Sequence, residues 1–157
     1  MQKIAIFVDV QNIYYTTKQA FQRHFNYHQF WQQATEGKQV IAAFAYAIDK
    51  GDQKQQGFQN ILKNIGFEIK LKPYIQRSDG SAKGDWDVGI TLDVLDYAQQ
   101  ADILVLLSGD GDFDLLLTKI RATTKALSHV YGVTQLTSPS LIRASDQFIA
   151  IDASLLL

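Results

Sequence analysis

The sequence predicts an α/β fold with one domain, residues 1–157, in which a mostly parallel sheet carries helices on both faces. The first observation behind this prediction is alternation, because short apolar runs are separated by segments whose apolar residues recur at helical spacing. Such alternation is typical of parallel strands joined by crossover helices. The second is composition, since 157 residues, 46% hydrophobic and 20% charged, suffice for the core of one globular domain.

The first half of the chain contains three strand patterns and three helix patterns. Residues 3–9 and 40–48 are nearly continuous apolar runs, as expected for strands buried on both faces. In the third strand pattern, residues 67–75, apolar and polar residues alternate, and Pro73 favours a strand end or an edge. Helical spacing of apolar residues between these runs predicts helices at 10–25, 28–35 and 52–65.

The second half begins with a polar segment, residues 76–84, whose glycine, serine and aspartate content predicts a loop. A helix is predicted at 85–97 with Asp85 as its cap, and the uninterrupted apolar run 103–107 predicts another buried strand. If this fourth strand lies beside the first, the strand order is 3-2-1-4-5. The remaining patterns predict helices at 113–124 and 140–148 and strands at 126–133 and 148–151.

Polar residues follow the 103–107 strand at once, beginning with Ser108. Two glycines in this stretch permit a sharp turn, and three carboxylates, Asp110, Asp112 and Asp114, fall within five residues. Like charges this close repel each other, and either a bound cation or a raised pKa relieves the repulsion. Asp112 has an alternative explanation as the N-cap of the following helix, but a cap accounts for only one of the three.

Two further aspartates are expected near this turn. Asp9 ends the first strand, and ligands bind in open α/β sheets where the carboxyl ends of neighbouring strands meet. Asp87 lies in the first turn of the helix that leads into the fourth strand. Carboxylate oxygens in such a cluster suit Mg²⁺ or Mn²⁺. Asn12 can orient a substrate phosphate or a water molecule on the metal, or it can be an ordinary turn residue.

Charge is distributed unevenly although the net charge is only −1. Residues 50–83 hold seven basic residues and three acids, whereas residues 85–114 hold eight aspartates and no base. A basic segment beside an acidic one can hold a polyanion, with lysines on the phosphates and carboxylates on cations. Lys83, just before the acidic helix, is a candidate phosphate ligand. Alternatively, most of these lysines simply solvate helix and strand surfaces.

Several classes of protein are excluded or disfavoured. The chain has no cysteine, which excludes disulfide frameworks, thiolate zinc sites and cysteine nucleophiles, and suits a reducing, cytoplasmic location. Its three histidines, His24, His28 and His129, lie away from the aspartate turns and are interpreted as structural or surface residues. No apolar run approaches the roughly twenty residues of a membrane span, so no membrane partner is expected.

Three segments, taken in order, resemble the signature motifs of the NYN domain, a branch of the PIN-like nucleases. They are VDVQN at 8–12, KGDWDVGITLD at 83–93 and SGDGDF at 108–113, and the closing segment LIRASDQFIAID is also similar. The resemblance spans nearly the whole chain and implies a PIN-like, Rossmann-like three-layer sandwich. It also implies a metal-dependent ribonuclease whose partner is single-stranded RNA, bound with low specificity.

The resemblance extends to individual residues. The family's catalytic, metal-binding aspartates correspond to Asp9, Asp87, Asp110 and Asp112. Asp93 matches a recurrent acid of the family, but it lies six positions from Asp87 on the predicted helix and is interpreted as structural support. Trp86 stands where the family more often has a small aliphatic residue, and its ring can stack on a base. The expected substrate-binding residues are Asn12, Lys83, Trp86 and Ser108.

Two other functions remain open from the sequence. A catalytically silent module can use the same acidic cluster to bind RNA or a nucleotide without cleaving it. Phosphatases with an aspartyl nucleophile also place an aspartate after the first strand. They usually have a second aspartate two positions later, where this chain has Gln11.

Overall fold

A computed structural model of the protein describes residues 1–73 and 85–157 and the backbone of 75–76 and 82–83. The strands are β1 (Lys3–Asp9), β2 (Gln39–Asp49), β3 (Glu68–Pro73), β4 (Ile75–Gln76), β5 (Ala82–Lys83), β6 (Ile103–Leu107), β7 (Leu127–Gly132) and β8 (Gln147–Ala150). The helices are α1 (Val10–Phe21), α2 (Tyr27–Thr35), α3 (Gln53–Ile65), α4 (Asp87–Tyr97), α5 (Asp114–Thr123) and α6 (Pro139–Ala144).

Six of these strands form one sheet, in the order β3-β2-β1-β6-β7-β8, and every neighbouring pair in it is parallel. The predicted α/β fold class is therefore confirmed. β6 is the fourth long strand along the chain, so the predicted 3-2-1-4-5 order is also confirmed, with β8 added beyond β7. The short strands β4 and β5 form a separate antiparallel pair. The strand order reverses at β1, between β2 and β6, which is where open α/β sheets bind ligands.

Helices cover both faces of the sheet. One core contains alternate residues of β1 and β6 together with residues of α1, α2 and α3, among them Ile13. The other core contains the intervening strand residues together with residues of α4, α5 and α6, among them Ile90 and Leu117. Because β1 and β6 are covered on both faces, residues 4–8 and 103–107 are all apolar and buried. Among the described residues, no helix combines the length and the apolar character that a membrane span requires.

The helix predicted at 10–25 ends earlier than its apolar spacing suggests. α1 stops at Phe21, and Gln22 takes a left-handed conformation, φ 55°, with its N–H donating to the Lys18 carbonyl oxygen at 2.9 Å. Phe25 then leaves the helix and forms an isolated bridge with Leu156 near the other end of the chain. Phe25 is buried as predicted for an apolar-face residue, but its ring is outside the helix and packs against Tyr27 and Phe30, with centroids 4.9 and 5.8 Å away.

Other predicted boundaries shift at turns. α4 begins two residues later than predicted, and α6 ends four residues earlier, because residues 147–150 join the sheet as β8. β3 ends at Pro73, in agreement with a proline at a strand end. Most of the loop predicted at 76–84 lies outside the described residues.

A polar cluster anchors α4 to the sheet. Asp93 of α4 accepts hydrogen bonds from the Tyr46 hydroxyl at 2.7 Å and from the Lys70 ammonium at 2.6 Å. Lys70 also lies 4.3 Å from the centroid of the Phe44 ring. The cluster joins β2, β3 and α4, which are well separated in sequence. These contacts give Asp93 the supporting role that the sequence predicts.

We expect Asp93→Ala to lower the free energy of unfolding by about 2 kcal/mol, because the Tyr46 hydroxyl and the Lys70 ammonium lose a charged partner. Urea denaturation followed by circular dichroism measures this change. The control is Asp96→Ala on the same helix, since the Asp96 side chain is exposed and its removal should change stability by less than about 0.5 kcal/mol. Equal losses in the two variants would contradict the anchoring role.

Candidate metal centre and active site

Two turns meet where the strand order reverses. The register between β1 and β6 pairs Val8 with Leu107, so the next residues, Asp9 at the end of β1 and Ser108 just after β6, lie side by side. The Ser108 hydroxyl donates a hydrogen bond to Asp9 Oδ2 at 3.2 Å. The first and fourth strand ends are therefore adjacent, as the strand order predicts.

Asn12 ties the two turns together from α1. Asp9 caps α1 by accepting a hydrogen bond from the Asn12 backbone N–H at 3.4 Å, and Asn12 Oδ1 accepts one from the Gly109 N–H at 2.9 Å. The turn after β1 therefore binds the second turn through Asn12, and the turn after β6 binds the first through Ser108. Of the two interpretations left open for Asn12, the structure shows the turn role, and contact with a phosphate stays a prediction.

The turn after β6 is held by its own side chains. Ser108 Oγ accepts the Asp110 N–H at 3.1 Å, and Asp110 Oδ1 accepts the Asp112 N–H at 2.9 Å, where a short 3-10 turn begins. Asp110 therefore caps the 3-10 turn. The capping role considered for Asp112 is not observed, because the N-cap residue of α5 is Phe113, which makes no side-chain capping hydrogen bond. A Cβ atom at Gly109 would lie 2.8 Å from the Leu136 carbonyl oxygen, so the turn can pack this closely only with glycine.

Three carboxylates come together at this edge of the sheet. Asp87, Asp110 and Asp112 each offer an oxygen that lies within 4.8 Å of the other two. Asp112 is exposed and the other two are half-buried, so the triplet opens to solvent. One cation can contact several oxygens at this spacing. The structure thus brings together three of the four predicted metal ligands, and it places the fourth, Asp9, next to them through Ser108.

Negative charge is concentrated at this edge. Burial raises the pKa of Asp9 to about 6, against the effect of its two hydrogen bonds, and the charges of Asp110 and Asp85 add to the rise. The pKa of Asp87 is raised to about 7, and burial is again the largest cause. The hydrogen bond with Asp110 and the charge of Asp110 are the next largest causes, and the charges of Asp85 and Asp9 contribute less. The two ion pairs formed within residues 1–73 and 85–157 involve none of these aspartates.

The structure shows Ser108 in a supporting position. The sequence places Ser108 among the substrate-binding residues, but its side chain is fully buried. Its hydroxyl is engaged with the Asp9 carboxylate and with the backbone of Asp110. With these two partners the hydroxyl holds Asp9 and the Asp110 backbone in place, and contact of Ser108 with a substrate stays a prediction.

The sequence predicts that Trp86 offers a ring for stacking, whereas the structure shows this ring in contact with the protein itself. Its Nε1–H donates to the Ala47 carbonyl oxygen at 2.9 Å, and the ring packs on Tyr46 at a centroid distance of 5.3 Å. Lys72 Nζ lies 4.4 Å from the ring centroid. Stacking on a base stays a prediction that requires Lys72 to move. The side chain of Lys83, the predicted phosphate ligand, lies outside the described residues.

We refer to the edge of the sheet that carries Asp9, Asp87, Asp110 and Asp112 as the acidic edge. Asp85 also belongs to it, although its sequence position suggests only a helix cap. α4 begins at Asp87, and Asp85 Oδ1 accepts the Asp87 N–H at 3.2 Å. Its charge contributes to the raised pKa of both Asp87 and Asp9. The sequence indicates this role of Asp85 only through its spacing from Asp87, because two aspartates separated by one residue place two charges in one turn.

Most of the chain matches one protein family. A family model described as NYN domain covers residues 3–152, a range that includes every aspartate of the acidic edge. This chain belongs to the NYN domain family. The membership predicted from the three motifs is therefore confirmed.

Two relatives of this NYN domain span nearly its full length. Low amplitude and bright protein LabA from Synechococcus elongatus is 26% identical to this chain over an alignment of 161 residues. The alignment covers 96% of this chain and 84% of that protein. A crystal structure of a protein of unknown function from Vibrio parahaemolyticus is 55% identical. It superposes with a TM-score of 0.95, covering 99% of this chain and 96% of the other, so the same fold occurs in an experimentally determined relative.

The acidic edge of this NYN domain makes its stability depend on pH in a defined direction. Aspartate in an unfolded chain has a pKa of about 4, whereas in the fold the pKa is about 6 for Asp9 and about 7 for Asp87. Between about pH 4 and about pH 7 the folded protein therefore binds more protons at these groups than the unfolded chain does. Their contribution to the free energy of unfolding falls as the pH rises through that window.

We expect Asp110→Asn to lose less stability than the wild type as the pH rises from about 4 to about 7 in metal-free buffer. The variant removes a charge that raises the pKa of both Asp9 and Asp87, so less repulsion develops as they ionise. Thermal unfolding in EDTA, followed by circular dichroism, measures the difference at each pH. Asp96→Asn, an exposed carboxylate on α4, should follow the wild type. Parallel curves for wild type and Asp110→Asn would contradict this electrostatic account.

Proposed function

We propose that this NYN domain is a metal-dependent ribonuclease that hydrolyses the phosphodiester backbone of single-stranded RNA. The observation that carries the proposal is the cluster of Asp87, Asp110 and Asp112, whose oxygens lie within 4.8 Å of one another at the carboxyl edge of a parallel sheet. Membership of the NYN family, which suggests a nuclease-like fold, supports it. A module that binds RNA without cleaving it is the competing outcome of the experiments below.

The residues of the acidic edge suit Mg²⁺ or Mn²⁺. Their donors are carboxylate oxygens, which hard divalent cations prefer. The pKa values of Asp9 and Asp87 are raised by burial and by neighbouring negative charge, and a cation would relieve that repulsion. In this proposal Asp87, Asp110 and Asp112 hold the cation directly, and Asp9 completes the ligand set.

The chemistry that a bound divalent cation supplies is activation of a water molecule and neutralisation of charge on the phosphate. The contribution of the protein itself is to hold its carboxylates in place. Asp9 is restrained by hydrogen bonds from the Ser108 hydroxyl and the Asn12 backbone. Asp110 is restrained by the N–H of Asp112. Carboxylates held in this way need little reorganisation when the substrate charge arrives.

Lys72 is the described lysine of the basic segment that lies against the acidic edge. Its ammonium donates to the Asp85 carbonyl oxygen at 3.0 Å while lying over the Trp86 ring. Lys70, two residues earlier, is paired with Asp93 and is not available in the same way. We propose that the Lys72 ammonium contacts a phosphate of the RNA. To make this contact Lys72 moves away from the Trp86 ring, and the uncovered ring can then stack on a base.

Replacing one ligand should weaken metal binding without unfolding the protein. We expect Asp110→Asn and Asp87→Asn each to lower Mn²⁺ affinity by about tenfold or more, because each removes a charged oxygen donor. Isothermal titration calorimetry at about pH 8, where Asp9 and Asp87 are ionised, measures this affinity. Asp96→Asn is the matched control and should bind like the wild type. Unchanged affinity in both site variants would eliminate this metal centre.

Cleavage should depend on the same aspartates. We expect the wild type to cleave a labelled single-stranded oligoribonucleotide with Mg²⁺ or Mn²⁺, and Asp110→Asn to be slower by about a hundredfold or more. RNA binding, measured by fluorescence anisotropy, should persist in the variant because its lysines are intact. Asp96→Asn should cleave normally, and EDTA should abolish cleavage.

Each departure from this pattern has a distinct meaning. Cleavage that continues in EDTA, or that Asp110→Asn performs at the wild-type rate, would contradict the proposed mechanism. Binding of Mn²⁺ and RNA without cleavage of any single-stranded substrate would identify a binding module instead.

A further inference from the structure

A second concave surface begins beside the acidic edge. It is a cleft of about 580 Å³ between α1, the carboxyl end of β2 and the amino-terminal end of α3. Val10 and Gln11, which directly follow Asp9, line this cleft, and so do Lys50 and Lys54. We refer to it as the α1–α3 cleft. The ribonuclease proposal assigns no role to any of these lining residues.

Aromatic side chains stand exposed on the α1 side of the cleft. Tyr14 and Tyr15, both lining residues, are 41% and 50% exposed. Tyr14 stacks on His24 with ring centroids 5.7 Å apart, and it meets Tyr15 edge to face at 5.3 Å. Exposed rings that are held by neighbouring rings form a platform of the kind on which nucleobases stack.

The α3 side of the cleft adds positive charge. Lys50 and Lys54 are exposed, and neither forms an ion pair with another described residue. Asp52, between them, uses its carboxylate to cap α3 at the Gln55 N–H, 2.7 Å away. Gln55 in turn bonds to the backbone of Ile48 and Lys50, so Lys50 in the loop and Lys54 in the first turn of α3 stand on a restrained backbone.

The buried side of the cleft is lined by aromatic rings. Tyr27 and Phe58 contact each other there edge to face, with centroids 5.7 Å apart. Val10 and Gln11 also line the cleft, and they directly follow Asp9 in the chain. A ligand in the cleft therefore lies next to the acidic edge.

We propose that the α1–α3 cleft binds one nucleotide of single-stranded nucleic acid, adjacent to the phosphate that is cleaved at the acidic edge. The base stacks on Tyr15 beside Tyr14, and the nucleotide phosphate lies against Lys50 and Lys54. Exposed aromatic rings next to lysines match a ligand with a flat base and an anionic backbone. The position next to the cleaved phosphate rests on the proposed function, whereas binding of a nucleotide in the cleft does not.

Fluorescence anisotropy of a labelled oligouridylate, recorded in EDTA so that the ligand stays intact, tests the cleft. We expect Tyr15→Ala to weaken binding by about tenfold and Tyr15→Phe, which keeps the ring, to bind like the wild type. Lys54→Ala should weaken binding by about threefold and reduce the salt dependence of the affinity by about one phosphate contact. The matched control is Lys63→Ala, an exposed lysine at the other end of α3, which should change neither quantity.

An abasic ligand separates stacking from a general structural defect. A ribose-phosphate oligomer of the same length but without bases should bind wild type and Tyr15→Ala equally, whereas Lys54→Ala should weaken binding of both ligands. A variant that had merely lost its structure would bind both oligomers more weakly than the wild type. The same measurement with oligodeoxyuridylate shows whether the cleft takes DNA as well as RNA.

Failure of this proposal and failure of the ribonuclease proposal give different results. If Tyr15→Ala and Lys54→Ala bind oligouridylate no differently from Lys63→Ala, the cleft proposal is overturned, whether or not the protein cleaves RNA. It is also overturned if the wild type binds neither RNA nor DNA. If binding depends on Tyr15 but no RNA is cleaved, the cleft proposal stands and the ribonuclease proposal fails.

Discussion

The parallel pairing of β1 with β6 is the constraint on which the rest of the structure depends. Its register pairs Val8 with Leu107, so the next residues are Asp9 and Ser108, which are 99 positions apart in the chain. Helices on both faces bury residues 4–8 and 103–107, and the first side chains that can form a polar site are those that follow, beginning with Asp9 and Ser108. The acidic character of this edge follows from the residues that the chain places there.

Aspartates play two different roles in this fold, and their partners distinguish them. Asp93 and Asp146 each pair with a base, Lys70 and Arg121 respectively, and they join elements of the fold. At the acidic edge, burial and mutual repulsion raise the pKa of Asp9, and hydrogen bonds from neutral groups only partly oppose the rise. Within the described residues these carboxylates have no basic partner. Carboxylates with raised pKa values that lack such a partner are typical of functional sites, because their arrangement does not serve stability.

α1 connects the acidic edge with the neighbouring cleft. Its cap is Asp9, its first two residues line the cleft, and its next turn carries Tyr14 and Tyr15. The end of β2 provides a second connection, since Ala47 lines the cleft while its carbonyl oxygen accepts the Trp86 indole N–H. The acidic edge and the α1–α3 cleft are therefore connected through α1 and through the end of β2.

The sequence by itself determined the fold class, the order of five of the six sheet strands once the first is placed beside the fourth, and the acidic turn after the fourth strand. Apolar spacing is a local property, so it revealed most elements and, through the geometry of parallel sheets, that the turns carrying Asp9 and Asp110 are neighbours. Only the tertiary structure decided what the side chains around that cluster can touch. Ser108 is buried against Asp9, and the Trp86 ring is covered by Lys72. Such contacts join residues that are distant in the chain, and they depend on how whole elements pack, which leaves no periodic pattern in the sequence.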